Sequence, residues 1–386
     1  MIGLPEYVKL SALALRFGPI LPGTDLVKEI VDKLAQVDAD GLLSDGDVVC
    51  VTEAVLARSQ GNFISLSEIA RELAEHFGIT LKGRLAVVFP IMSRNRFASI
   101  LRAFAMAVSE GTLILQLSHP TDPVGNPTTE IPGDPKRIVL FEEVGQGTKH
   151  PITGIDYVSF YRNLIAQEGA TPLIFFSNDP QAVLTFSPDL VVVANIHERE
   201  ATKRALFGRG PQVITLQEIA CDPSRGGAWS EWGLLGSNLS AGDKIKLAPR
   251  RAEEFALSLQ EAVQKALKRR VEVLVYGDGA FKDPGTGIFE FADPVTTFGA
   301  TLGLRGRLRL GFKYKLLVDQ LHAEGRSAAE IEAELQRLWG KPVQPGSEEA
   351  EGTTPRKLVD VLATLADLLT GSADAGTPVV LVKGFL

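Results

Sequence analysis

Acidic side chains crowd one short stretch of this chain. In VEVLVYGDGAFKDPGTGIFEFADP, residues 271–294, Asp278, Asp283, Glu290 and Asp293 fall within sixteen residues, with Lys282 among them and Gly and Pro between. The apolar run Val271–Tyr276 ahead of them reads as a buried strand that stops at Gly277-Asp278-Gly279. Four carboxylates at the mouth of a buried strand repel one another unless a positive charge sits among them. A hard cation such as Mg²⁺ or Mn²⁺, shared with substrate phosphates, would supply that charge. The glycines permit close backbone approach and positive φ. The same residues read equally well as an acidic surface loop, because Asp and Gly make turns wherever a chain reverses.

Three other loops carry groups able to hold a nucleotide. Thr52-Glu53-Ala54, with Arg58 beyond it, follows the apolar strand Val48–Thr52. Gly236-Ser237-Asn238 lies in a Gly/Ser/Asn-rich segment, and Gly371–Pro378, with Asp374 and Gly376, precedes the closing strand Val379–Lys383. Backbone N–H groups in Gly/Ser turns bind phosphate oxygens, and an Arg at position 58 could pair with one bidentately. Arg94 and Arg96 open a helix, where guanidinium groups suit a substrate carboxylate or phosphate. Ordinary turns and a solvated helix start explain each of these singly. No P-loop is present, since Gly145-Gln-Gly-Thr-Lys149 lacks its spacing, and no GxGxxG follows a strand.

The elements that would position these groups alternate strand and helix along the whole chain. Residues 1–120 read as mixed α/β, with strands at Leu10–Leu15, Val48–Thr52, Arg84–Phe89 and Leu113–Gln116, and helices ending at Gln36 and spanning Leu66–Phe77. A Pro- and Gly-rich connection follows. Residues 121–225 then read as an inserted small parallel α/β unit: helix Tyr157–Gln167, strand Pro172–Phe176, strand Leu190–Ala194, helix Glu198–Leu206 and strand Gln212–Leu216. Residues 226–386 resume the first pattern, with helix Glu253–Arg269, strand Val271–Tyr276, a basic stretch Arg305–Lys315, two helices, and the last strand. The core is therefore discontinuous, 1–120 with 226–386.

Composition narrows the functional classes. A net charge of −7 argues against nucleic acid as the main partner, because duplex binding needs a basic face. No apolar run approaches the roughly 20 residues that span a bilayer, which leaves no membrane partner to expect. Two cysteines, Cys50 and Cys221, without a pairing pattern fit a reducing, cytoplasmic setting.

Three separated pieces together resemble one family, the coenzyme F420-0:L-glutamate ligases (F420 γ-glutamyl ligases), which are GTP-dependent amide ligases. LPGTDLVKEI…SDGDVVCVTEAVLARSQGN is similar to the family's turn, DGDV strand and Ser-Lys-x-Glu-Gly turn. GLLGSNLSAGDKIKLAP resembles its Asn-Ala-Gly-Ile-Asp-x-Ser-Asn motif, and LADLLTGSADAGTPVVLVKGF its terminal helix, Gly/Asp-rich turn and strand. The resemblance implies a mixed α/β fold in an intertwined homodimer, with GTP and two divalent metals near the subunit interface. Asn238 matches the nucleotide-contacting Asn. Arg58 stands where the family has a Lys, Asp278 matches a metal-binding Asp within one position, and Asp374 falls in the terminal metal and nucleotide loop. Leu235 stands where the family has a metal-binding Asp, for which Asp283 or Glu53 could substitute.

The resulting expectation is a nucleotide- and metal-dependent ligase that adds an amino acid, L-glutamate in γ linkage, to a carboxylate acceptor such as a deazaflavin or a folate-like cofactor. GTP, or alternatively ATP, is the co-substrate. Asp278, Asp283 and Asp374 are the expected metal ligands; Glu53, Arg58, Ser237, Asn238 and Gly376 hold the nucleotide. Lys282 and Asp278 act on the transferring phosphoryl group, and Arg94 and Arg96 hold the substrate carboxylate. The alternative is a non-catalytic protein that binds a nucleotide or small acid on the same scaffold, motivated by Leu235. Another phosphoryl-transfer or hydrolytic enzyme is a third option.

Overall fold

The computed structural model describes residues 8–144, 149, 154–279, 291–309, 311–338, 346–347, 350, 354–370 and 376–386. Its frame is two sheets, each sandwiched by helices. The first, here the core sheet, has five strands in the order Ser11–Leu15, Val379–Lys383, Val48–Thr52, Glu272–Tyr276 and Thr297–Ala300. All neighbours are antiparallel except Val48–Thr52 with Glu272–Tyr276, which run parallel. The central strands are apolar on both faces because both faces are covered. Val49, Val51, Val273 and Val275 pack under the helices Leu26–Ala39 and Ala252–Leu267. Val48, Cys50, Leu274 and Tyr276 pack under the helix Leu358–Thr370 on the other side. Each such side chain contributes about 1.5–3 kcal/mol by leaving water.

The second sheet has six strands in the order Val139–Leu140, Thr171–Phe176, Thr112–Leu117, Arg84–Val88, Leu190–Val193 and Gln212–Thr215. All but the short edge strand Val139–Leu140 are parallel. Its two innermost strands, Arg84–Val88 and Thr112–Leu117, lie before residue 121. The parallel unit is thus larger than the expected 121–225 insertion and begins within the region expected to belong to the core. The physical reason is that strand partners are chosen by long-range pairing and by which helices cover each face. A short apolar run carries neither. The helix Leu66–Phe77 leads the chain from one sheet to the other and packs, with Phe97–Ala107 and Tyr157–Gln167, on one face of the parallel sheet. Ser65 caps this helix in a reciprocal box with Glu68.

A small antiparallel sheet, Asn238–Leu239, Lys244–Lys246 and Phe63–Ser65, bridges the two halves. Of the basic stretch 305–315, Leu308–Arg309 forms a short strand, Arg305 pairs with Glu253, and Arg309 lies over the Phe385 ring. No helix among the described residues is long and apolar enough to cross a membrane.

Candidate active site

Strand register brings separate loops to one end of the core sheet. Thr52 lies opposite Tyr276 in the parallel pair, and Val379 lies opposite Val51 in the antiparallel one. The ends of two strands and the start of a third therefore share one edge. Glu53 opens the helix Glu53–Ser59 there, Asp278 follows Tyr276, and Gly376-Thr377-Pro378 lead into the last strand. The Thr52 N–H donates to the Pro378 carbonyl at 3.0 Å, which fastens the first and third segments together. The helix Leu358–Thr370 delivers Asp367 to the same place, with the Thr370 hydroxyl 2.6 Å from that of Tyr276. These loops surround a cleft of about 890 Å³, also lined by Arg58, Asn95, Arg96, Asn238 and Asp293.

Gly277 and Gly279 are glycines because carboxylates lie against their backbone, and neither has positive φ. A Cβ on Gly277 would stand 2.5 Å from Asp293 Oδ2, and one on Gly279 would stand 2.8 Å from Asp367 Oδ2. The backbone donates where it approaches: Asp278 N–H to Asp293 Oδ2 at 2.9 Å, and Gly279 N–H to Asp367 Oδ2 at 2.5 Å. Burial, together with the charges of Asp293 and Asp367, drives the Asp278 carboxyl well above the ordinary carboxylate range against the pull of Arg96.

Two cations stand among these acids. Arg96 bridges Asp278 and Asp293, with Nη2 2.6 Å from Asp278 Oδ2 and Nη1 2.8 Å from Asp293 Oδ1. Burial alone would lower its affinity for the proton, but Asp278 and Asp293 outweigh that and keep it charged. Lys246 Nζ lies 2.8 and 2.7 Å from the two carboxylate oxygens of Glu53, in a pair that is almost wholly buried. Burial still raises the Glu53 carboxyl, Lys246 opposing and Asp293 adding to the effect.

Arg96 is carried by the parallel sheet. Its segment leaves the strand Arg84–Val88 through Phe89, which holds a left-handed φ of 56°. It is then pinned from two sides. Asp122 accepts the Met92 N–H at 2.8 Å; the Tyr161 hydroxyl accepts the Ser93 N–H at 2.9 Å and lies 3.1 Å from the carbonyl oxygens of Ile91 and Ser93. The Ser93 hydroxyl then takes the Arg96 N–H at 3.2 Å. Beyond, the Asn95 carbonyl accepts the Leu239 N–H at 2.7 Å, tying the segment to the bridging sheet.

The family model for F420-0:gamma-glutamyl ligase matches residues 14–384, and the match takes in both sheets. The chain belongs to that family. It is a family of γ-glutamyl ligases of coenzyme F420 biosynthesis, and its mixed α/β fold is the one described above. No curated protein matches the chain.

Against this family the expected site residues divide. Glu53, Arg58, Asn238, Gly376 and Asp278 all line the cleft. Arg58 is exposed there, and among the described residues its guanidinium has no ion-pair partner. Ser237 stands outside the cleft, buried, its hydroxyl donating to the Leu234 carbonyl at 2.7 Å. Arg94 and Arg96 do not form the expected pair of carboxylate clamps. Arg94 turns away to lie over the Phe160 ring, and Arg96 is spent on Asp278 and Asp293. Two positions apart at an irregular helix start, their side chains diverge. Lys282, Asp283, Glu290 and Asp374 lie outside the described residues.

Leu235, at the family's acidic position, is buried in the apolar core with Leu234. Glu53 does not supply the missing acid freely, because Lys246 holds both its oxygens. The carboxylate beside this turn is Asp293, whose Oδ1 would lie 3.4 Å from a Cβ on Gly236. Asp293, Asp367 and Lys246 were not among the expected site residues. Asp293 stood in the acidic stretch, and Asp367 was signalled by its place in the apolar helix LVDVLATLADLLT, seven residues after Asp360 and so on one face with it. Lys246, in GDKIKLAP, carried no such signal.

Proposed function

We propose that this cleft binds a nucleoside triphosphate together with a divalent cation and joins L-glutamate to a carboxylate acceptor of the F420 type. The acceptor carboxylate attacks the γ-phosphorus, giving an acyl phosphate and a nucleoside diphosphate. The glutamate amine then attacks the acyl carbon, forms the amide and releases phosphate. The observation that supports this most is the convergence of Glu53, Asp278, Asp293 and Asp367 on one cleft, where among the described residues they outnumber the lining cations Arg58 and Arg96 and the Lys246 paired with Glu53.

A polyanionic nucleotide enters such a cleft only with added positive charge. Among the described residues no three His, Cys, Asp or Glu side chains stand together as a ready ligand set. The Asp367 carboxylate accepts the N–H of Gly279, next in the chain to Asp278, and the two acids repel each other; Mg²⁺ is commonly held by one or two carboxylates with phosphate oxygens completing its shell. The donors therefore fit a hard divalent cation, which when bound would offset charge on the phosphates and the developing transition state. In this reading Arg58, exposed in the cleft, meets a phosphate and Asn238 contacts the nucleotide, while Arg96 keeps Asp278 and Asp293 oriented. The triphosphate is GTP in this reading, the protein a cytoplasmic homodimer; its two cysteines are free thiols, in keeping with a reducing compartment.

The test is phosphate release from GTP and from ATP, with Mg²⁺ or Mn²⁺ and glutamate, against deazaflavin and folate acceptors. Acceptor-dependent release with a matching gain in acceptor mass is the expected result. Leu235 in the apolar core favours a second reading, a protein that binds the nucleotide without turnover; stoichiometric GTP binding with no release in any combination would establish it.

A further inference from the structure

Asp278 and Asp293 approach each other closely enough to share one cation, and a side chain already fills that role. The Arg96 guanidinium spans both carboxylates, one nitrogen to each. Backbone engages the same carboxylates: Asp278 Oδ2 also accepts the Ala292 N–H at 3.1 Å, and the second oxygen of Asp293, Oδ2, accepts the Asp278 N–H at 2.9 Å. Asp293 is 1 % exposed and Arg96 14 %, so solvent offers little substitute for the ion pair. The backbone that carries the guanidinium is itself held, at Arg96 by the Ser93 hydroxyl, at Ser93 and Met92 by Tyr161 and Asp122, and at Asn95 by the Leu239 N–H.

We propose that Arg96 is a resident cation that takes the place of a divalent ion between Asp278 and Asp293. The parallel sheet, whose central strand feeds this segment, is then the arm that delivers it. The inference rests on reading the cleft as a metal and nucleotide site. Two buried carboxylates need a compensating charge. A fixed guanidinium supplies one that chelators cannot remove, at the expense of one metal position.

Removing the guanidinium should therefore create a metal site. The experiment is Mn²⁺ binding to the nucleotide-free, full-length protein, followed by electron paramagnetic resonance, for wild type, Arg96→Gln and Arg96→Lys. Arg96→Gln is expected to bind one more Mn²⁺ per chain than wild type, and Arg96→Lys, which keeps the charge, to match wild type. A folded Arg96→Gln protein that binds no additional Mn²⁺ overturns the proposal. Should that variant fail to fold, anomalous diffraction from wild-type crystals soaked in MnCl₂ decides. The proposal requires no peak between Asp278 and Asp293 with Arg96 in place; a peak there with Arg96 displaced overturns it. GTP-dependent Mn²⁺ binding by wild type reads the cleft itself. Its absence, with the gained ion in Arg96→Gln, would sink the functional reading and leave this inference standing.

Discussion

The mouth of the core sheet and the crevice of the parallel sheet are both built from loops at strand ends, yet they hold different things. The first is a cleft of about 890 Å³ edged by four carboxylates. The second lies where strand order reverses, between the ends of Arg84–Val88 and Leu190–Val193, the place where open parallel sheets commonly bind ligands. Here it is closed, with about 20 Å³ left among Ile91, Phe97, Ala194, Ile196, Leu235 and Ala292. Arg96 lines both spaces. Topology offered two crevices, and among the described residues side-chain content left the first open and filled the second. The second became a packed joint whose product is the position of one guanidinium.

The sharpest way to break this contrast is at the acidic mouth. Asp278→Asn keeps shape and loses the charge, and should lower kcat by about a thousandfold or more, the several kcal/mol that cation-assisted charge stabilisation supplies. Circular dichroism should show an unchanged fold; full turnover in such a protein would remove Asp278 from the chemistry. Next comes the pair behind it. Lys246→Ala strands Glu53 in a buried site and should cost about 3–5 kcal/mol in urea unfolding, whereas a surface pair would cost under about 1 kcal/mol.

The joint itself is tested by Tyr161→Phe, which deletes a buried hydroxyl that serves the Ile91–Ser93 backbone. A loss of about 1–3 kcal/mol is expected. Turnover should also fall, because the Arg96 segment loses a pin; stability loss with turnover untouched would reduce Tyr161 to packing. The smallest effect is at the helix that links the two sheets. Ser65→Ala should cost about 1 kcal/mol. The Ser65 hydroxyl and backbone hold the Glu68 carboxyl below its ordinary 4.5. A lowered folded value means that this contribution is present above about pH 4.5 and is lost as pH falls through the lowered value. The difference between wild type and Ser65→Ala in thermal unfolding should shrink accordingly on acidification.

Much of the fold was legible because local rules act over a few residues. The helices Leu66–Phe77 and Tyr157–Gln167 and the strands Val48–Thr52 and Val379–Lys383 stand where apolar spacing, caps and turns put them. Family membership was legible too, since three short motifs keep their order along the chain. Asp278 after Tyr276, Glu53 and Gly376, three of the expected site residues, line one cleft.

The rest depended on contacts that no local pattern encodes. The sheet that owns Arg84–Val88 is set by partners far along the chain, so the boundary at residue 121 could not be seen. Arg96 meets Asp278 across 182 residues and Lys246 meets Glu53 across 193. In the sequence Arg96 reads as a group for a substrate carboxylate, and nothing marks Lys246. Residue types alone determined that carboxylates would gather at a strand end and would need positive charge. Only the tertiary structure decided that Arg96 and Lys246 supply part of it, because burial makes an unpaired carboxylate too costly and strand register decides which cation is within reach.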